Sequence, residues 1–106
     1  MLWRTQANFR IHVLMALTAW FLAWQLRISG SHFALIVLSS VLVLAAEAFN
    51  TALEFTLDHF SPHESWPAKW AKDAAAAAVL ITALGALITG LVILGPPLYE
   101  RLVKFL

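Results

Sequence analysis

Three blocks of apolar residues alternate with short polar stretches along this chain, a pattern that predicts three helices joined by one turn and one loop. The first block, "IHVLMALTAWFLAWQL" at 11–26, is interrupted only by His12 near its start and Gln25 near its end. It is slightly shorter than the roughly 17 to 25 residues of a membrane-spanning helix unless Phe9 or Ile28 extends it, so the first span is placed at about 11–28. A cleaved signal peptide is the alternative, since Arg4 and Arg10 precede the apolar core and small Ser29 and Ser31 follow it. Trp20, Trp24 and Arg27 suit an interfacial anchor better than a cleavable core. "RISGSH" at 27–32 carries a serine-glycine turn signal and separates this block from the second, at 33–57. At ~1.5 Å per residue the second block is about 37 Å long, enough to cross the hydrocarbon and bring its last two turns to the headgroups. "DHFSPHESWPAKWAKD" at 58–73 reads as an ordered aqueous loop at a membrane surface, with Trp66 and Trp70 as interfacial rings. The third block spans 74–95, and small residues recur along it at Ala74, Ala78, Thr82, Ala86 and Gly90, a stripe that lets a neighbouring helix come close. Pro96 and Pro97 are expected to stop that helix at the far interface. No repeat, low-complexity linker or second domain interrupts the pattern, which makes 1–106 a single all-α membrane domain.

Composition agrees with the pattern. Of the 106 residues, 61% are hydrophobic and 12% charged, against about half and a quarter in an ordinary soluble domain. The net charge of +1 comes from scattered residues, with no basic run for nucleic acid and no acidic tail. The absence of cysteine excludes a disulfide framework, a thiolate metal site and a thiol nucleophile. If the amino end is cytoplasmic, so is the 58–73 loop, and that side carries Arg4, Arg10, Lys69 and Lys72 against Arg27, Arg101 and Lys104 on the other. The positive-inside rule favours this orientation by one residue.

The stretch "AAEAFNTALEFTLD" places four strongly polar side chains in the second apolar block. At ~100° per residue, Asn50, Glu54 and Asp58 fall about −60°, −20° and +20° from Glu47, one face roughly 80° wide, and Ser40 extends it inward. An acidic residue at mid-membrane costs about 2.5 to 3.5 kcal/mol, so two glutamates on one face call for a function that offsets the cost. Interhelical hydrogen bonding by Asn50 and the serines, with the glutamates protonated or paired to Arg10 or a lysine, is the structural alternative. Glu47 and Glu54 lie about 10 Å apart along the axis, too far to share a proton but suited to separate tasks. A hard cation such as Mg²⁺ takes one or two protein carboxylates and completes its shell with water and phosphates, while a kinase acting on an alcohol needs a base for the hydroxyl proton. Lys72 and Asp73 add a phosphate-binding cation and a polar anchor, or else a snorkelling lysine and a helix cap. The four glycines fall in no phosphate-binding loop, so any nucleotide site is unconventional. His59 and His63, in a loop with two prolines, read as solvated and not as a zinc site.

"AEAFNTALEFTLD" followed by "AKWAKDAAAAAV", with "NFRIH" upstream, resembles the prokaryotic diacylglycerol kinase and undecaprenol kinase family over essentially the whole chain. Its pattern runs A-E-x-x-N-[TS]-A-[IL]-E-x-x-x-D, then A-K-x-A-K-D before a run of small residues. The resemblance implies a bacterial inner-membrane protein of three transmembrane helices per chain. It also implies assembly as a homotrimer with active sites between subunits, and transfer of the γ-phosphoryl group of ATP with Mg²⁺ to a membrane lipid alcohol. Carried over by position, it makes Glu47 the general base, Asn50 a polar partner that orients the site, and Glu54 a metal ligand. Lys72 and Asp73 become ATP contacts, Glu64 and Ser65 part of the nucleotide loop, and Asn8, Phe9, Arg10 and His12 the border of the lipid headgroup. Three features depart from the family pattern. Its second metal-binding glutamate is Gln6 here, Ser65 stands where relatives often carry histidine, and only about ten residues precede the first apolar block where relatives have an amphipathic surface helix. The "RIH" ending at His12 leans toward the undecaprenol branch. The competing class is a non-catalytic membrane assembly protein or a relative disabled at Gln6, and an ion-conducting bundle fits less well because the carboxylates gather at one end of the span.

Overall fold

The computed structural model describes residues 7–61, 63 and 65–106, and these form three helices: α1 (Ala7–Gln25), α2 (Gly30–Phe60) and α3 (Trp66–Phe105). They run antiparallel in sequence order as an elongated bundle 58 Å by 26 Å by 24 Å. α2 lies in the middle, packed extensively on α3 and less so on α1, while α1 and α3 meet over a short stretch.

A narrow seam of small and branched residues holds the bundle together. Ala16 and Ala23 of α1, Ile36 and Val43 of α2, and Leu94 of α3 are buried, and Ala23, Ile36 and Leu94 form one cluster. Stepping along the antiparallel pair from Ala23 opposite Ile36 brings Ala16 level with Val43 and His12 level with Glu47. Ile36, Val43 and Glu47 share one face at helical spacing, so the apolar seam of α2 passes directly into its polar stripe. Two alanines on the α1 side let the backbones approach, since neither side chain needs more room than a methyl group.

Only α2 and α3, among the described residues, are long and apolar enough to cross a membrane. A long apolar helix in a soluble protein hides its apolar surface, yet only 17% of the most apolar window of α2 and 6% of that of α3 is buried within the chain. Their hydroxyl groups are satisfied on their own helices: Ser40 donates to Ile36 O at 2.8 Å, Thr51 to Glu47 O at 3.0 Å, Thr82 to Ala78 O at 3.0 Å and Thr89 to Gly85 O at 2.9 Å. Helices surrounded by hydrocarbon handle hydroxyls in this way, because no water is available to pair them.

The helix ends depart from the sequence reading in three places. The connection between α2 and α3 is confined to 61–65, not 58–73, because α2 continues through Asp58 to Phe60 and α3 starts at Trp66 under an N-cap in which the Ser65 hydroxyl accepts from Ala68 N. Asp73 therefore stands two turns inside α3 and is not its cap. Pro96 and Pro97 lie within α3 and do not end it. Their fixed φ is compatible with helix, and the segment beyond them is held by Arg101, whose Nη2 donates to Gln25 O at 2.9 Å. The turn between α1 and α2 rests on Arg27, with φ of 54°, and not on Gly30, which is already helical. Ile28 N bonds Ala23 O and Arg27 N bonds Trp24 O, the paired pattern that closes a helix around a left-handed residue. One packing expectation also changes. Ser40 turns back to its own backbone and does not bridge helices. Within the chain the small-residue stripe receives no close neighbour at its glycine, since a β-carbon added at Gly90 meets nothing within 4 Å.

Substituting Ala23→Leu should force α1 away from Ile36 and cost about 1 to 3 kcal/mol, seen as a lower thermal unfolding midpoint in detergent micelles. An unchanged midpoint would mean that this contact does not organise the bundle.

Candidate functional site

The polar face of α2 begins where the seam ends and grades from dry to wet. Glu47 is 6% exposed, Asn50 and Glu54 are half-buried, and the side chain of Asp58 is 67% exposed. The same helical periodicity that lines Ile36 and Val43 along the seam puts these four on one side, so each carboxylate meets a different amount of water at a different depth.

Each acid has its own neighbour. His12 Nε2 lies 3.4 Å from Glu47 Oε1, an ion pair when the imidazole is protonated. Asn50 Nδ2 donates to Glu54 Oε1 at 3.3 Å, one turn on. Lys72 Nζ donates to Asp58 Oδ1 at 2.6 Å, which ties the start of α3 to the end of α2. The structure thus brings together one end of all three helices: His12 from α1, Glu47 to Asp58 from α2, and Lys72 from α3. Arg10 makes no ion pair with Glu47; it is exposed, as are Asn8 and Asp73, while Phe9 is half-buried. Ser65 spends its hydroxyl on the α3 cap. Gln6 and Glu64 lie outside the described residues. The exposed positions of His59 and His63 agree with the reading of both as solvated.

Two contacts at this site were not legible in the sequence. The pairing of Lys72 with Asp58 follows once the loop is known to be short, because two helices joined by 61–65 must set their ends side by side. The approach of His12 to Glu47 depends on the register of α1 against α2, and no local pattern reports it.

The oxygen chemistry suits a hard divalent cation. Asn50 Oδ1 is buried with no hydrogen-bond partner, and Glu54 presents a half-buried carboxylate beside it. Among the described residues no group of three His, Cys, Asp or Glu side chains forms a metal cage. Mg²⁺ fits that situation, because it binds through one or two protein oxygens and otherwise through water and phosphate.

The matching family model, described as prokaryotic diacylglycerol kinase, aligns with residues 1–94. The chain belongs to the prokaryotic diacylglycerol kinase family. It is 42% identical over 102 residues to a diacylglycerol kinase of Synechocystis sp., covering 93% of this chain and 57% of that protein. It is 35% identical over 95 residues to an undecaprenol kinase of Bacillus subtilis, covering 90% of this chain and 77% of that one. The chain therefore spans a little over half the length of the first relative and about three quarters of the second. Family membership, together with two long apolar helices left uncovered by the chain itself, makes this a membrane protein.

Because the Asp58 and Lys72 side chains are 67% and 30% exposed, breaking their pair with Asp58→Asn should change stability by no more than about 1 kcal/mol. Chemical denaturation in micelles measures this, and a loss of several kcal/mol would show that the pair clamps the bundle.

Proposed function

We propose that the chain is an ATP-dependent lipid kinase that phosphorylates a membrane lipid alcohol, undecaprenol or diacylglycerol, at the acidic end of the bundle. One observation carries the reading: Glu47 is buried where the apolar seam stops, beside the His12 imidazole, in a chain of a kinase family. A carboxylate in that position is shielded from water yet continuous with the polar face that leads to Asp58, a suitable place for a base acting on a hydroxyl at the bilayer surface.

In the proposed reaction Glu47 accepts the proton of the lipid hydroxyl as its oxygen attacks the γ-phosphorus of ATP. The new bond joins the lipid oxygen to phosphorus, the bond from γ-phosphorus to the bridging oxygen breaks, and ADP leaves with the electron pair. Asn50 holds the Glu54 carboxylate in place through the Nδ2 hydrogen bond, and Glu54 with Asn50 Oδ1 would hold Mg²⁺. When bound, the cation neutralises charge on the nucleotide phosphates. Lys72 swings between Asp58 and a phosphate oxygen, exposed Asp73 beside it on α3 contacts the nucleotide, and Ser65 borders its entry; Glu64, outside the described residues, joins the nucleotide loop by family resemblance alone. Asn8, Phe9, Arg10 and His12 flank the lipid headgroup, with His12 also supporting Glu47. α1 serves as a third crossing of a bacterial inner membrane, the amino end and the 61–65 connection are cytoplasmic, and three chains pack around the small-residue stripe of α3 to enclose the sites.

Purified protein in mixed micelles with MgATP should phosphorylate undecaprenol or diacylglycerol, and Glu47→Ala should lower turnover by at least about a thousandfold while leaving oligomeric state and helicity intact. No turnover with either lipid, despite intact oligomers, would favour a non-catalytic assembly role. In the same assay Gln6→Glu should tighten the Mg²⁺ dependence of turnover, and an unchanged metal titration would remove that position from the metal site.

A further inference from the structure

The opposite end of the bundle carries a cleft, about 490 Å³ in volume, where the turn after α1 meets the last turns of α3. We infer that this cleft binds the phosphate of an anionic lipid headgroup, held by Arg27 and Arg101. The inference is independent of the kinase reading and requires only that the chain sits in a bilayer.

Both arginines line the one cleft, and among the described residues neither forms an ion pair with a carboxylate. Arg101 is oriented by its 2.9 Å bond to Gln25 O, which uses one of five N–H donors and leaves the others for a ligand. Arg27 occupies a left-handed backbone position at φ 54° that glycine fills in most such turns. A side chain with a β-carbon there costs roughly 1 to 2 kcal/mol, a strain tolerated more often at functional sites than elsewhere. The walls identify the source of the phosphate. Trp24, Ile28 and Phe33 face the same space, and Trp24 is 68% exposed. A free inorganic ion has no use for them, whereas a glycerol backbone and the first acyl carbons do. The two helix termini at this turn, the carboxyl end of α1 and the amino end of α2, oppose each other electrostatically.

Generic snorkelling of cations toward headgroups accepts lysine as readily as arginine, but forked recognition of a phosphate does not. The test uses native mass spectrometry of the intact assembly with phosphatidylglycerol and phosphatidylcholine of identical acyl chains. The wild-type protein should retain phosphatidylglycerol about tenfold more tightly, and Arg101→Lys should remove most of that preference. Arg27→Gly should do the same while keeping the turn, since glycine is at ease at that φ; circular dichroism checks that helicity is retained. Glu47→Ala should leave the preference intact, which separates this cleft from the acidic end. Equal retention of the two lipids by the wild type, or a preference that survives in the Arg27→Gly/Arg101→Lys double variant, overturns the proposal. Saturable binding of inorganic phosphate without a lipid preference overturns the lipid assignment in favour of a soluble anion.

Discussion

Keeping the Glu47 carboxyl group dry is the constraint on which the packing of α1 against α2 turns. A carboxylate removed from water without a partner is among the most costly groups a fold can contain, and Glu47 is 6% exposed with the His12 imidazole beside it. That partner belongs to another helix, 35 positions earlier in the chain, so the contact exists only while α1 holds one register against α2. A slip of α1 by one residue rotates its face by about 100° and carries the imidazole away. Register is held by features of no chemical interest: two buried alanines, the branched side chains of Ile36 and Val43 facing them, and a tight turn closed by Arg27 in the left-handed region.

The two ends of the molecule therefore differ in kind. At one, acids on α2 are paired in sequence with groups from α1, from α2 itself and from α3, and the pairs become wetter toward the helix end. At the other, two arginines share a cleft with Trp24, Ile28 and Phe33, and among the described residues neither forms an ion pair. Between the ends, hydroxyl groups bond back to their own helices, so the middle of the bundle is held by shape alone.

Much of this was legible in the chain. The three apolar blocks mark the three helices, and spacing alone put Glu47, Asn50, Glu54 and Asp58 on one face. The ends of the helices were less legible, for physical reasons. Prolines at 96 and 97 look like a stop because the signal is local, but Arg101 secures the continuation through its bond to Gln25 O, a distant part of the chain. The polar run after Asp58 looks like a loop by composition, yet most of it is helical at either side of a connection of a few residues. The imidazole beside Glu47 is a product of tertiary register, which no single helix encodes. Ser40 shares the acidic face by angle but spends its hydroxyl on Ile36 O, a choice that periodicity cannot report.

The long dimension of the bundle, 58 Å, exceeds the roughly 40 to 45 Å of a bilayer with its headgroups. The protein must lean, project, or locally thicken the membrane around it. Since its acids are graded by depth along a single face, each adjustment moves the waterline along that face and changes which carboxyl groups are hydrated. Membrane thickness is thereby coupled to how deeply water reaches along the acidic face.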